Sequence, residues 1–143
     1  EIKRAERYRE PLSLVVIDIA ALNKYISDIG SYYGDIIVKK IAEILRKGLR
    51  GSDVITRLGT DKFAVILTKT LKQPAAIIGR RFKSIIEGYP FYGIENFPEG
   101  KLTASVAIAS YPEDAVNPEE LIYKVANALR AARDEGGDKV VVL

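Results

Sequence analysis

Two carboxylates in this chain, Asp18 and Asp61, stand where they could do chemistry. Asp18 closes the run Leu12-Ser13-Leu14-Val15-Val16-Ile17, nearly continuous, apolar and β-branched, the pattern of a strand buried on both faces. A charge at the exit of such a strand is where open α/β sheets place ligand chemistry; capping the next helix is the competing use of the same residue. Asp61 lies in Gly59-Thr60-Asp61-Lys62, between the short apolar segments 54–58 and 63–67. That is a tight β-hairpin, with Gly59 supplying an unusual backbone angle and Asp61 at the tip. Asp18 is placed to face the same spot. The chain has no His and no Cys, so imidazole bases, disulfides and thiolate metal sites are excluded. Any metal here is a hard cation on oxygen ligands.

The elements that position these groups follow from bulk properties and patterning. A chain of 143 residues, 48% hydrophobic and 29% charged, is one globular domain with a proper core. Its net charge is +3 with the signs interleaved, which permits a phosphate-bearing ligand and gives no reason to expect DNA or RNA. No apolar run is long enough to cross a membrane, and a cytoplasmic location is expected, alone or as the cytoplasmic part of a membrane-attached protein. The charged stretch 1–10, stopped by Pro11, reads as the end of a linker helix from an upstream domain, and 11–143 as the domain itself.

Along the chain, helices are expected over 20–29 with Gly30 as the stop, over about 34–49 with Asp35 in the first turn, and from Thr70 and Pro74 to about Gly88. The stretch 89–100 is loop-like, with a short strand at 91–94. The alternation of Leu102, Ala104, Val106 and Ile108 marks a strand over 101–111. A last helix starts at Pro118-Glu119-Glu120 and ends at Gly136-Gly137, and a last strand covers 140–143. The order β-α-α-β-β-α-β-α-β is an α/β (α+β) fold: a central, mostly antiparallel sheet flanked by helices, the ferredoxin-like palm of the nucleotide cyclase and polymerase type.

Five passages now become recognisable: Pro11-Leu12-Ser13-Leu14 leading to Asp18-Ile19; Gly30 then Gly34-Asp35; Arg50-Gly51-Ser52-Asp53; Arg57 to Val65; and Ser105 to Asp114. In order and spacing the chain resembles a GGDEF domain, the bacterial diguanylate cyclase module, over essentially its whole length. Active members join two GTP molecules into cyclic di-GMP, one held by each half of a dimer. The resemblance implies metal-ligand positions at Asp18, Asp61 and the Ile19 carbonyl, suited to Mg²⁺ shared with a triphosphate. It also implies nucleotide-contacting positions at Asn23, Asp35, Gly59 and Arg133.

The departures from that pattern argue against turnover. The signature hairpin reads Gly59-Thr60-Asp61-Lys62-Phe63 instead of Gly-Gly-Asp/Glu-Glu-Phe. Thr60 puts a β-branched residue where the family has glycine against the nucleotide. Lys62 reverses the charge of a Glu beside the metal. Ile26 replaces the Asn that bonds guanine, and a donor left unpaired costs about 1–3 kcal/mol. Asn23 stands for a phosphate-contacting Lys, Arg133 matches another, Gly137 replaces its partner Arg, and Ala20 replaces the second Asp of the strand-end motif. Losing several groups, each contributing about 2–4 kcal/mol in the transition state, removes turnover.

One site of the family is kept in sequence. Arg50-Gly51-Ser52-Asp53 matches the RxxD inhibitory motif that binds product cyclic di-GMP, nine residues before Gly59. Arg offers a planar fork to guanine O6 and N7, and Asp accepts from guanine N1–H and N2–H₂. A further Arg completes the clamp, either Arg81, the preferred candidate, or Arg80. The expected function is therefore a catalytically inactive GGDEF domain that binds cyclic di-GMP as a receptor or regulatory module, with no cofactor required. The alternatives are a weak cyclase or GTP-binding domain using Asp18, Asp61 and Mg²⁺, and a ligand-free dimerisation scaffold. An upstream sensory or membrane domain and a homodimer are expected partners in each.

Overall fold

The structure, a computed structural model, describes residues 10–96 and 100–143. The helix expected over 1–10 therefore falls outside the described residues, apart from its last position. The elements are β1 (Leu12–Ile19), α1 (Leu22–Ile29), α2 (Ser31–Lys47), β2 (Val54–Leu58), β3 (Lys62–Thr68), α3 (Lys72–Gly88), a 3₁₀ turn at Ile94–Asn96, β4 (Ala104–Tyr111), α4 (Pro118–Asp134) and β5 (Val140–Val142). They form one sheet in the order β2-β3-β1-β4-β5, antiparallel except for the β4–β5 pair.

β1 is the central strand, and all of its residues are buried. Alternation divides its side chains between two cores. Val15, Ile17 and Ile19 pack with Leu22, Ile41, Leu45 and Phe82 of α1, α2 and α3. Leu12, Leu14 and Val16 pack with Leu121, Val125 and Leu129 of α4. Three helices thus cover one face and α4 covers the other. Each large apolar side chain buried this way contributes about 1.5–3 kcal/mol. Helix α3 comes close to β4 because Gly79 has no side chain; a Cβ there would lie 3.1 Å from Ile108 and 3.2 Å from Val106.

Several boundaries differ from the sequence reading. Helix α1 begins at Leu22 rather than 20, behind Ala21 at φ 57°. Helix α2 begins at Ser31 rather than near 34, because Gly30 at φ 88° both stops α1 and opens α2. Asp35 is therefore beyond the first turn, and the helix-dipole reason for its position does not apply. No strand forms at 91–94. Gly93 at φ 73° turns the chain, and the backbone bonds close locally, Phe91 N–H to the Tyr89 carbonyl and Ile94 N–H to the Phe91 carbonyl. β4 starts at Ala104 rather than 101. α4 is capped by Asn117, whose Oδ1 accepts from Glu120 N–H at 2.8 Å. Among the described residues, no helix is long and apolar enough to cross a membrane.

Candidate functional site

The hairpin and the end of β1 do converge. Asp18 is in register with Lys62 on β3 and Ser105 on β4, and Ile19 N–H donates to the Asp61 carbonyl at 2.9 Å. The turn is closed by Gly59 at φ 67° and by Arg57, whose Nη2 donates to the Thr60 carbonyl at 2.8 Å. Thr60 itself is not among the residues at positive φ, so the backbone strain expected of a β-branched residue there is not present.

Both carboxylates at this corner face cations of the chain itself. Arg133, from the end of α4, donates through Nη2 to Asp18 Oδ2 at 2.5 Å. The Asp18 side chain is 9% exposed and that of Arg133 59%. The hydrogen bond to Asp18, then the charges of Asp18 and Asp61, push the Arg133 guanidinium further above its usual range. Lys62 Nζ lies 3.7 Å from Asp61 Oδ1. Between α4 and the hairpin is a cleft of about 260 Å³, lined by Asp18, Leu58, Lys62, Leu129, Arg130 and Arg133 among others. Arg130 was missed in the sequence, although its i, i+3 spacing to Arg133 puts both on one helix face. A divalent ion bound by Asp18 and Asp61 would have to displace both cations. Arg133 and Lys62 thus compete with any such ion for the two carboxylates, and among the described residues no group of three or more acidic side chains gathers into a metal site.

Asn23, matched to a phosphate contact, and Asp35, matched to a guanine contact, have exposed side chains that make no hydrogen bond or ion pair among the described residues. Ile26 leans onto Gly34, where a Cβ would stand 2.5 Å from its Cγ2.

The Arg50–Asp53 turn is built differently from a free surface pair. The Asp53 side chain is 3% exposed. Its Oδ2 accepts from Arg50 N–H at 2.8 Å, and its Oδ1 from Thr68 N–H at 3.1 Å and Thr68 Oγ1 at 3.3 Å. Its N–H returns to the Arg50 carbonyl at 3.0 Å. This is an Asx-type turn pinned to the end of β3. The Arg50 side chain is 58% exposed. Its Nη2 donates to the Thr68 carbonyl and to Thr70 Oγ1, while Nη1 and Nε make no hydrogen bond among the described residues. Thr68 and Thr70 were not foreseen as part of this site; only a threonine pair flanking the strand end hinted at it. The turn opens on a cavity of about 350 Å³ lined by Arg50, Asp53, Lys69, Thr70, Pro74 and Ile78 among others. Arg81 lies on the face of α3 that carries Pro74 and Ile78, whereas Arg80 is turned about 100° round the helix from it. Both are exposed.

Comparison with known proteins agrees with this architecture. The family model described as "Diguanylate cyclase, GGDEF domain" matches residues 1–139. The chain is 28% identical over 141 residues to the probable diguanylate cyclase DgcT of Escherichia coli K12, covering 99% of this chain and 31% of that protein. The solved GGDEF domain of PA1120 (TpbB or YfiN) from Pseudomonas aeruginosa superposes with a TM-score of 0.81 at 26% identity, over 99% of this chain and 81% of that one. The GGDEF domain of DgcB from Caulobacter crescentus, solved in complex with c-di-GMP, shares the fold with a TM-score of 0.80 at 19% identity, over 98% of this chain and 82% of that one. The chain therefore belongs to the GGDEF domain family of diguanylate cyclases.

Proposed function

We propose that this domain is a non-catalytic GGDEF module that binds cyclic di-GMP at the Arg50–Asp53 turn, with Arg81 completing the clamp, and passes that state to the rest of a longer protein. The observation that carries the reading is the half-free guanidinium of Arg50. One nitrogen anchors it to Thr68 and Thr70 and lies 3.7 Å from Asp53 Oδ1, and Arg50 lines a cavity together with Pro74 and Ile78, on the α3 face that carries Arg81. A guanidinium fixed at one end and open at the other loses little freedom when it takes guanine O6 and N7. Asp53 Oδ2 accepts one hydrogen bond and retains a lone pair for a guanine N–H. Lys69 at the same cavity adds charge for the phosphates.

Calorimetric titration with cyclic di-GMP tests this. Binding at micromolar or tighter affinity, abolished by Arg50→Ala and weakened by Arg81→Ala with Arg80→Ala neutral, is the expected result. Absence of heat for the wild type, or equal binding by the Arg50→Ala protein, refutes it. Incubation with GTP and Mg²⁺ or Mn²⁺ is expected to yield no cyclic di-GMP by chromatography.

A further inference from the structure

We propose that the outer face of α2 and the loop after α3 form a self-complementary surface on which a second copy of this chain docks about a two-fold axis. The middle of that surface is aromatic and apolar. Tyr32 is 72% exposed and Tyr92 60%, with Tyr33 and Ile36 also exposed beside them. The rings are already ordered. Tyr33 stacks on Tyr92 with centroids 4.4 Å apart and planes within 9° of parallel, and Tyr32 meets Tyr33 edge-on at 5.2 Å. Rings held this way lose little freedom on docking, and tyrosine is enriched where protein interfaces gain most of their energy. A contiguous aromatic patch rimmed by charge is the surface pattern of a protein-binding site.

The charges on the rim decide which partner fits. Tyr92 stands between two hollows and lines both. One, of about 480 Å³, carries Asp28 and Glu95, and among the described residues neither makes an ion pair. The other, of about 380 Å³, carries Lys39, Lys40 and Glu43. Glu43 lies 3.5 Å from Lys40 Nζ, which leaves Lys39 as the uncompensated cation. The hollows follow one another along α2, from Tyr33 in the acidic one to Lys40 in the basic one, a rise of about 10 Å. A surface with acid at one end, base at the other and an apolar middle is matched by itself turned through 180°. With the axis near Ile36 and Tyr92, the two α2 helices lie antiparallel, and Asp28 and Glu95 of each copy face Lys39 and Lys40 of the other. A parallel arrangement would set like charge against like. None of Asn23, Ile26, Asp35, Arg50, Asp53 and Arg81 lines either hollow, so this surface is separate from the nucleotide positions and from the Arg50 turn.

Sedimentation equilibrium on the nucleotide-free protein tests this. The mass is expected to rise with concentration from that of a monomer toward twice that value. Ile36→Glu, which places a charge in the apolar middle, is expected to weaken self-association at least about tenfold. The D28K/E95K and K39E/K40E proteins each set like charge against like, and each is expected to lose self-association at least about tenfold. Their equimolar mixture restores opposite charges at both ends of the interface and is expected to associate as the wild type does. If either double variant fails to fold by circular dichroism, D28K and K39E singly take their place. Wild-type protein that stays monomeric up to about 1 mM, a dimer that Ile36→Glu leaves intact, or charge-reversed proteins that do not pair in the mixture would each overturn the proposal. Failure of cyclic di-GMP binding at the Arg50 turn would leave these outcomes untouched.

Discussion

At the scale of single residues, Asp53 and Arg50 have unequal duties although one motif names both. Asp53 is buried and receives hydrogen bonds from Arg50 N–H, Thr68 N–H and Thr68 Oγ1. Replacing it with Ala strands the Arg50 and Thr68 N–H groups, while Thr68 Oγ1 keeps Ser52 Oγ at 2.9 Å, and each unsatisfied buried group costs about 1–3 kcal/mol. Asp53→Ala is therefore expected to destabilise the domain by about 2–4 kcal/mol in urea unfolding. Arg50→Ala removes a half-exposed side chain and is expected to cost under about 1 kcal/mol while removing the ligand contact. Equal losses for the two would show that Arg50 is structural too. The motif was legible as four letters, and its position before the hairpin located it. That Asp53 turns inward was not, because the acceptor's partners lie fifteen residues on in β3. The Arg133–Asp18 pair was hidden for the same reason, spanning 115 residues. Its two members were each singled out, but for separate duties.

Elements were more legible than their joints. β1 announced itself through an unbroken apolar run, the pattern that a sheet with helices on both faces demands; β4 was found through the alternation of its larger apolar residues, although the structure buries all of its positions. Two of the boundaries that moved sit at glycines. Gly30 serves two helices at once, which no local preference specifies, and Gly93 converts an apolar stretch into a turn. The α1–α2 corner carries a prediction of its own. Gly34 is buried against Ile26, so closely that a Cβ there would stand 2.5 Å from Ile26 Cγ2. Gly34→Ala is expected to cost about 1–3 kcal/mol through overpacking, despite the better helix propensity of alanine. Ile26→Ala opens a gap on its own, yet combined with Gly34→Ala it makes room for the new methyl. A double-mutant cycle by chemical denaturation should show the pair less damaging than the sum of the singles. Strict additivity would mean the two helices yield instead.

At the scale of the whole molecule, the C-terminal strand is short and depends on two lysines of α3. Lys72 Nζ donates to Asp114 Oδ1 at 2.6 Å and to the Leu143 carbonyl. Lys83 Nζ donates to Asp138, to Glu87 and to the Ala104 carbonyl at 2.8 Å. Burial alone would lower the pKa of Lys83, but the hydrogen bonds and charges of Asp138 and Glu87 outweigh it and the net direction is upward. Asp138 moves the other way, held below its ordinary value chiefly by Lys83. Lys72 is raised in the same manner as Lys83, burial being outweighed by Asp114 and Glu113. The direction of linkage follows. A lysine whose pKa is raised on folding contributes stability that is whole below its ordinary value of 10.5 and is lost as pH rises through the folded value. An aspartate whose pKa is lowered contributes above its ordinary value of 3.8 and loses that contribution as pH falls through the folded value. Stability should thus be level across neutral pH, with an alkaline limb owed to Lys72 and Lys83 and an acid limb owed in part to Asp138. Lys83→Met is expected to lower neutral-pH stability by about 1 kcal/mol, since part of its partnership is with the exposed Asp138. It should also flatten the alkaline limb and shorten the acid one. Thermal unfolding followed by circular dichroism across pH, wild type against Lys83→Met, reads both changes. An alkaline limb of unchanged steepness in the variant would remove Lys83 from the set of groups that hold the last strand to the sheet.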